Sequence, residues 1–150
     1  MRMTAYETVG GVDDNVSFDD YVAPEVVRDK NVHTLTIIQL PEARTVELTK
    51  GGEAEVVDFL LKIEDADLVN AKLVRHSLWL PKSTDTVEDK NKSLGKLKAF
   101  VEATGVTGIR GTADLKNNLG LFVNTSIKAV LGVKTDDYGD KNVIKSIKTA

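Results

Sequence analysis

The chain has 150 residues, a formal net charge of −3 and no cysteine. That is about one domain, long enough to bury a core without staples, and it excludes disulfides and thiolate metal sites. No apolar run approaches the roughly 18 residues of a membrane span, and the first residues, MRMTAYETVGG, lack the apolar core of a signal peptide, so a soluble cytoplasmic protein with no membrane partner is expected.

The charge is unevenly spread. Residues 1–31 hold seven acids (Glu7, Asp13, Asp14, Asp19, Asp20, Glu25 and Asp29) against three bases, whereas residues 88–150 hold eleven Lys and Arg against seven acids. The sequence therefore divides into an acidic, partly ordered arm over 1–31 and a domain over 32–150. Gly10-Gly11, the paired aspartates and Ala23-Pro24 argue against regular structure in the arm, with Phe18, Tyr21, Val26 and Val27 available to pin it.

From Val32 the pattern becomes β-branched and alternating. VHTLTIIQL predicts a first strand with Leu35 and Ile37 on one face. Pro41 ends or bulges it, and Ala43–Thr49 continues it as far as the turn Lys50-Gly51-Gly52. The second strand, Glu53–Glu64, points Val57, Phe59, Leu61 and Ile63 to the core. The third, Lys72–Lys82, alternates Val74, His76, Leu78 and Leu80 with Leu73, Arg75, Ser77 and Trp79. Thr84–Gly105 predicts the one clear amphipathic helix: Leu94, Leu97 and Val101 form a stripe with Phe100 and Ala103 beside it, Asp85 and Glu88 form a capping box, and Gly105 ends it. A Gly/Thr-rich loop over 106–118 leads to a fourth strand, Gly120–Lys134. The turn TDDYGD and a fifth strand, Lys141–Ile147, follow.

Three strands, one helix and two strands describe a mainly β protein, and a five-stranded OB-fold barrel with its α-helix between strands 3 and 4 is the architecture with that order. A sandwich wants about seven strands, and a doubly wound fold wants alternating helices.

No catalytic constellation stands out, so an enzyme is not expected and no cofactor is implied. His33 and His76 have no motif partners, the pairs Asp13-Asp14, Asp19-Asp20 and Asp136-Asp137 lack calcium-loop spacing, and no nucleophile elbow or phosphate loop occurs. A binding surface is better supported. Arg75 and Trp79 share the non-core face of the third strand and Lys62 that of the second. An indole that stacks on bases, with cations beside it for phosphates, is what single-stranded nucleic acid requires. Lys72 and Lys82 at the ends of the third strand, Lys141 in the last hairpin and Tyr138 at its tip complete the candidate set, although Asp136, Asp137 and Asp140 beside Tyr138 repel phosphate. Arg110, Lys128, Lys134 and Lys145 are further cations placed to line the same groove.

NKSLGKLKAFVEATGV and DLKNNLGLFVNTSIKAVLGVKTDDYGDKNVIKSIK resemble the helix and closing hairpin of a family of small phage proteins, single-stranded DNA-binding proteins with an OB-fold, found among replication and recombination genes. The resemblance spans roughly residues 32–148. It implies a protein of the host-cell cytoplasm that coats single-stranded DNA without strong sequence preference, with replication or recombination proteins as partners and a homo-oligomer left open. Two departures stand out: Pro41 interrupts the first strand, and the sequence closes on KSIKTA rather than on acidic residues. The competing expectation is a structural β-barrel module that self-associates or binds a virion protein.

Overall fold

The computed structural model describes residues 14–148. These form six strands: β1 (Val32–Ile37), β2 (Glu42–Glu47), β3 (Glu53–Ile63), β4 (Val74–Trp79), β5 (Ser126–Asp136) and β6 (Gly139–Lys148). Two helices, α1 (Val87–Thr104) and α2 (Thr112–Asn117), lie between β4 and β5. The first thirteen residues of the acidic arm and the final Thr149-Ala150 lie outside the described residues.

Every pairing is antiparallel, and the order is β4-β3-β1-β5-β6, with β2 on the same edge of β3 as β1. Leu35 pairs Ile63 and Ala43 pairs Val57, so eight steps along β1-β2 oppose six along β3. β1 and β2 are thus one strand interrupted where two extra residues bulge out beside the buried Pro41, as a proline that cannot donate to a ladder requires.

The protein is mainly β, and its sheet is open. The edge strands β4 and β6 run in the same direction and approach within 8 Å between Cα atoms, yet no ladder joins them among the described residues. Their starts are tied instead by Lys72, whose Nζ donates to the carbonyl of Tyr138 at 2.9 Å.

The core lies inside the curve of the sheet. Alternation puts Leu35 and Ile37 of β1, Val57, Phe59 and Leu61 of β3, Val74 and Leu78 of β4, and Ile127, Ala129 and Leu131 of β5 into it. Phe59 is its centre, with ring centroids 4.5 Å from Phe100 and 5.6 Å from Phe122. α1 packs on β4, β5 and β6 and so covers the side where the two edges meet.

The predicted stripe of α1 is corrected. Leu97, Phe100 and Thr104 are the buried positions, while Leu94 is exposed and Val101 half-buried. Leu94 and Val101 instead border a cleft of about 470 Å³ shared with Val106, Ile109 and Leu115. The helix uses two neighbouring arcs, one on the sheet and one toward the loop that follows it. Its N-cap is Thr86, whose side chain accepts from the Asp89 N–H at 3.1 Å. Asp85, one residue earlier, accepts from the Lys82 N–H at 2.8 Å and closes the preceding turn. Gly105 ends the helix at φ 80°.

Two further differences lie after α1. The expected loop contains α2, whose Leu115 is buried and whose Lys116 pairs with Glu55 at 3.2 Å. The expected fourth strand starts later, at Ser126, because Leu119–Phe122 makes a 3-10 turn that drives Phe122 into the core, and Asn124 takes a left-handed φ of 69°.

In the described part of the arm, Phe18 and Tyr21 are exposed and pin nothing. Val27 does, buried in the core. Its N–H donates to Asn142 Oδ1 at 2.9 Å and its carbonyl accepts from Asn142 Nδ2 at 2.8 Å, so one buried amide holds the segment like a strand partner. None of the helices among the described residues is long and apolar enough to cross a membrane.

Candidate nucleic-acid interface

β4 lies on β3 with Val56 opposite Trp79, Asp58 opposite Ser77 and Leu60 opposite Arg75. Opposed residues share a face, so Arg75, Ser77 and Trp79 stand on the outer side with Leu60 and, one pleat along, Lys62. Val74 and Leu78, the alternate residues, go into the core. Trp79 is 49% exposed, an unusual state for an indole, and Arg75 and Lys62 are exposed further along the same face. The structure therefore brings together three of the seven candidate residues on one solvent face.

β2 adds a residue the sequence reading passed over. Arg44 pairs with Val56, directly across from Trp79, and its Nε meets Asp58 Oδ2 at 2.5 Å. Ser77 Oγ donates to the other oxygen of Asp58. Burial alone raises the Asp58 pKa, but the hydrogen bonds from Arg44 and Ser77 outweigh it and hold the carboxyl below its ordinary value of 3.8. Asp58 is thus ionised, bonded on both oxygens and near two arginines, while the exposed Glu42 stands directly opposite it on the same face. The signal for Arg44 was the alternation of ARTVE once β2 is placed along β3, which needs the register across the Pro41 bulge.

Lys72, Tyr138 and Lys141 form a second group, at the starts of β4 and β6. Lys141 Nζ lies 3.1 Å from Asp136, Arg28 pairs with Asp140 at 2.7 Å, and Lys72 donates to the Tyr138 carbonyl. Asp136 and Asp140 are both held below the ordinary carboxylate value, the first mainly by the Tyr138 N–H and Lys141, the second mainly by Thr135 and Arg28. Asp136 and Asp140 are thus locally compensated, Asp137 has no ion pair among the described residues, and the ring of Tyr138 is 83% exposed. Lys62 and Lys72 line one hollow of about 420 Å³ with Leu68, Leu73 and the acids Glu64 and Asp67, which lies between the two groups. Lys82 stands apart, beyond Pro81, in a hollow shared with Thr45, Glu53 and Glu55, whose two acids make it a poor phosphate site.

The two histidines are structural. His76 stacks on Phe100, with centroids 5.3 Å apart, and burial pushes its pKa below 6.5. His33 is 7% exposed, with Nε2 2.7 Å from Asp29 and Nδ1 2.8 Å from Asp65. A ring with a carboxylate on each nitrogen is an imidazolium donating twice. The Asp29 bond raises its pKa, against an opposing desolvation, and Asp65 adds to the rise. No cluster of three or more His, Cys, Asp or Glu among the described residues could hold a metal ion.

Compared with models of known protein families and with curated proteins, the chain matches none.

Proposed function

We propose that the protein binds single-stranded DNA without strong sequence preference, by stacking bases on Trp79 and neutralising phosphates with Arg75, Lys62 and Arg44. Tyr138, Lys72 and Lys141 serve as a second contact. The observation that carries the reading is the half-exposed Trp79 on an outer face that also carries Arg44, Arg75 and Lys62, with Asp58 of that face already bonded to Arg44 and Ser77. The indole stands opposite the fully buried Val56 yet leaves half its surface exposed, and base stacking on such a ring is worth about 1–3 kcal/mol per base.

The strand order supports an OB-fold. Counting β1 and β2 as one interrupted strand gives five strands, with the main helix after the third and with the first strand flanked by the second and fourth. We read the approach of β4 to β6 as the loosely closed seam of that barrel, and the β3-β4 face is where OB-folds take oligonucleotides. The phage replication or recombination role stays with the family resemblance. The cytoplasm of a host cell is where such a role places the protein, with replication or recombination proteins as its partners.

The chain's only tryptophan is in the site, so fluorescence titration with oligo-dT reads it directly. Saturable quenching that fades at high salt is expected; no quenching at low salt would sink the reading. The exposed Phe18 beside Asp19 and Asp20 favours the competing assembly module. Light scattering separates the two, because an assembly module forms a defined oligomer indifferent to added single strands.

A further inference from the structure

Lys128 of β5 stands directly opposite Lys148 of β6, and both are exposed. Like charges at opposed positions of an antiparallel pair repel and weaken the pairing. The other such pair, Lys134 and Lys141, is relieved by Asp136, which binds Lys141. Neither Lys128 nor Lys148 has an ion pair among the described residues. The nearest acid on this face is Glu64, placed across Thr34 from Lys128. The pair is an uncompensated concentration of positive charge, and an anion bound between the two ammonium groups would remove the repulsion.

Its position relates it to the Trp79 surface. The register runs Lys62, Thr36, Ser126 across β3, β1 and β5, and Thr34, Lys128, Lys148 across β1, β5 and β6 one pleat further on. All lie on the same outer face as Arg75 and Trp79. With strands about 4.8 Å apart and about 3.4 Å per residue, the step from Lys62 to Lys128 is roughly 12 Å and that from Trp79 to Arg75 roughly 14 Å. Between Lys62 and Lys128 the face carries the hydroxyls of Thr36 and Ser126, bonded at 2.8 Å.

We propose that the nucleic-acid strand held at Trp79 continues diagonally over β3, β1 and β5 to a phosphate site formed by Lys128 and Lys148. This rests on the single-strand-binding reading above and adds a second end to its path. The path crosses the sheet rather than following β4, so the two ends of the bound strand sit on opposite edges of the sheet.

The test is titration of the full chain with oligo-dT over a range of salt concentrations. Each phosphate contact on a single strand contributes about 0.7 to the slope of log K against log salt. The double variant Lys128→Ala, Lys148→Ala is expected to lower that slope by about 1.4 while leaving the depth of Trp79 quenching intact. Lys92→Ala, Lys96→Ala on α1 is expected to leave the slope unchanged. Lys148→Glu supplies a readout that a merely structural lysine would not: its melting temperature is expected to equal or exceed that of the unaltered protein while its affinity falls. If the unaltered protein binds and the first double variant keeps its slope, the path is overturned and the Trp79 reading survives. An equal loss of slope in the α1 variant also overturns it, since the effect is then non-specific charge. If the unaltered protein does not bind, both readings fail together.

Discussion

Trp79 and Phe59 are both large aromatics on neighbouring strands, and their surroundings assign them opposite work. Phe59 is fully buried against Phe100 and Phe122, so Phe59→Ala is expected to destabilise by about 3–5 kcal/mol in urea unfolding. Trp79→Ala is expected to leave the fold close to unchanged and to weaken oligo-dT binding by about 1–3 kcal/mol. A variant that unfolds instead would show that the indole is a core residue. His33 makes a pH-dependent contribution whose sign is set by the raised imidazole and the lowered Asp29 and Asp65. The histidine's part is complete below its unfolded value of about 6.5 and is lost as pH rises through the higher folded value. The aspartates' part is complete above 3.8 and is lost as pH falls through their lower folded values. The stability gap between the unaltered protein and Asp65→Asn is therefore expected to be widest between about pH 4 and 6.5 and to narrow toward alkaline pH. A gap that does not narrow as pH rises above about 6.5 would mean that His33 is neutral in the fold.

At the level of elements, α1 is held by its ends as much as by its face. Thr86→Ala removes the side-chain oxygen that accepts from Asp89 and is expected to cost about 1 kcal/mol. Gly105 has open space where a Cβ would stand, so the cost of Gly105→Ala is conformational, about 1–2 kcal/mol for a left-handed residue. The arm segment is fastened to the β5-β6 hairpin by Asn142 in the interior and by the Arg28–Asp140 ion pair at the surface. Asn142 is 6% exposed and satisfies Val27 on both sides and the Gly132 carbonyl at 3.0 Å. Asn142→Ala leaves those groups unpaired in the interior and is expected to cost at least about 2 kcal/mol by chemical denaturation. A near-neutral effect would show that the segment is not held there. The stripe of α1 read from spacing was displaced by one arc because periodicity locates an apolar face without saying what covers it. Leu94 and Val101 meet the loop after the helix, and only the folded chain puts that loop there.

For the molecule as a whole, a net charge of −3 hides a cationic outer face, because many of the acids sit in the arm, the turns and ion pairs. Binding is expected to fall steeply with salt despite the acidic total, and a salt-independent affinity would remove phosphate contact as its basis. The inward residues of the first strand, β3 and β4, the central position of α1, the interruption at Pro41 and the outward Trp79 and Arg75 were all legible in the chain, since each depends on alternation or on a proline and both are local. α2, the 3-10 turn at Leu119–Phe122 and the late start of β5 were not: they are short, and tertiary burial of Leu115 and Phe122 forms them. The same division separates the site. Local pattern determined which residues leave the core, but register decided which of them meet: Arg44 across from Trp79, Lys128 against Lys148, and Lys82 away from both. It also decided that the edges β4 and β6 approach without pairing, because sheet closure depends on strand stagger summed over the whole sheet, and no single stretch of sequence encodes that.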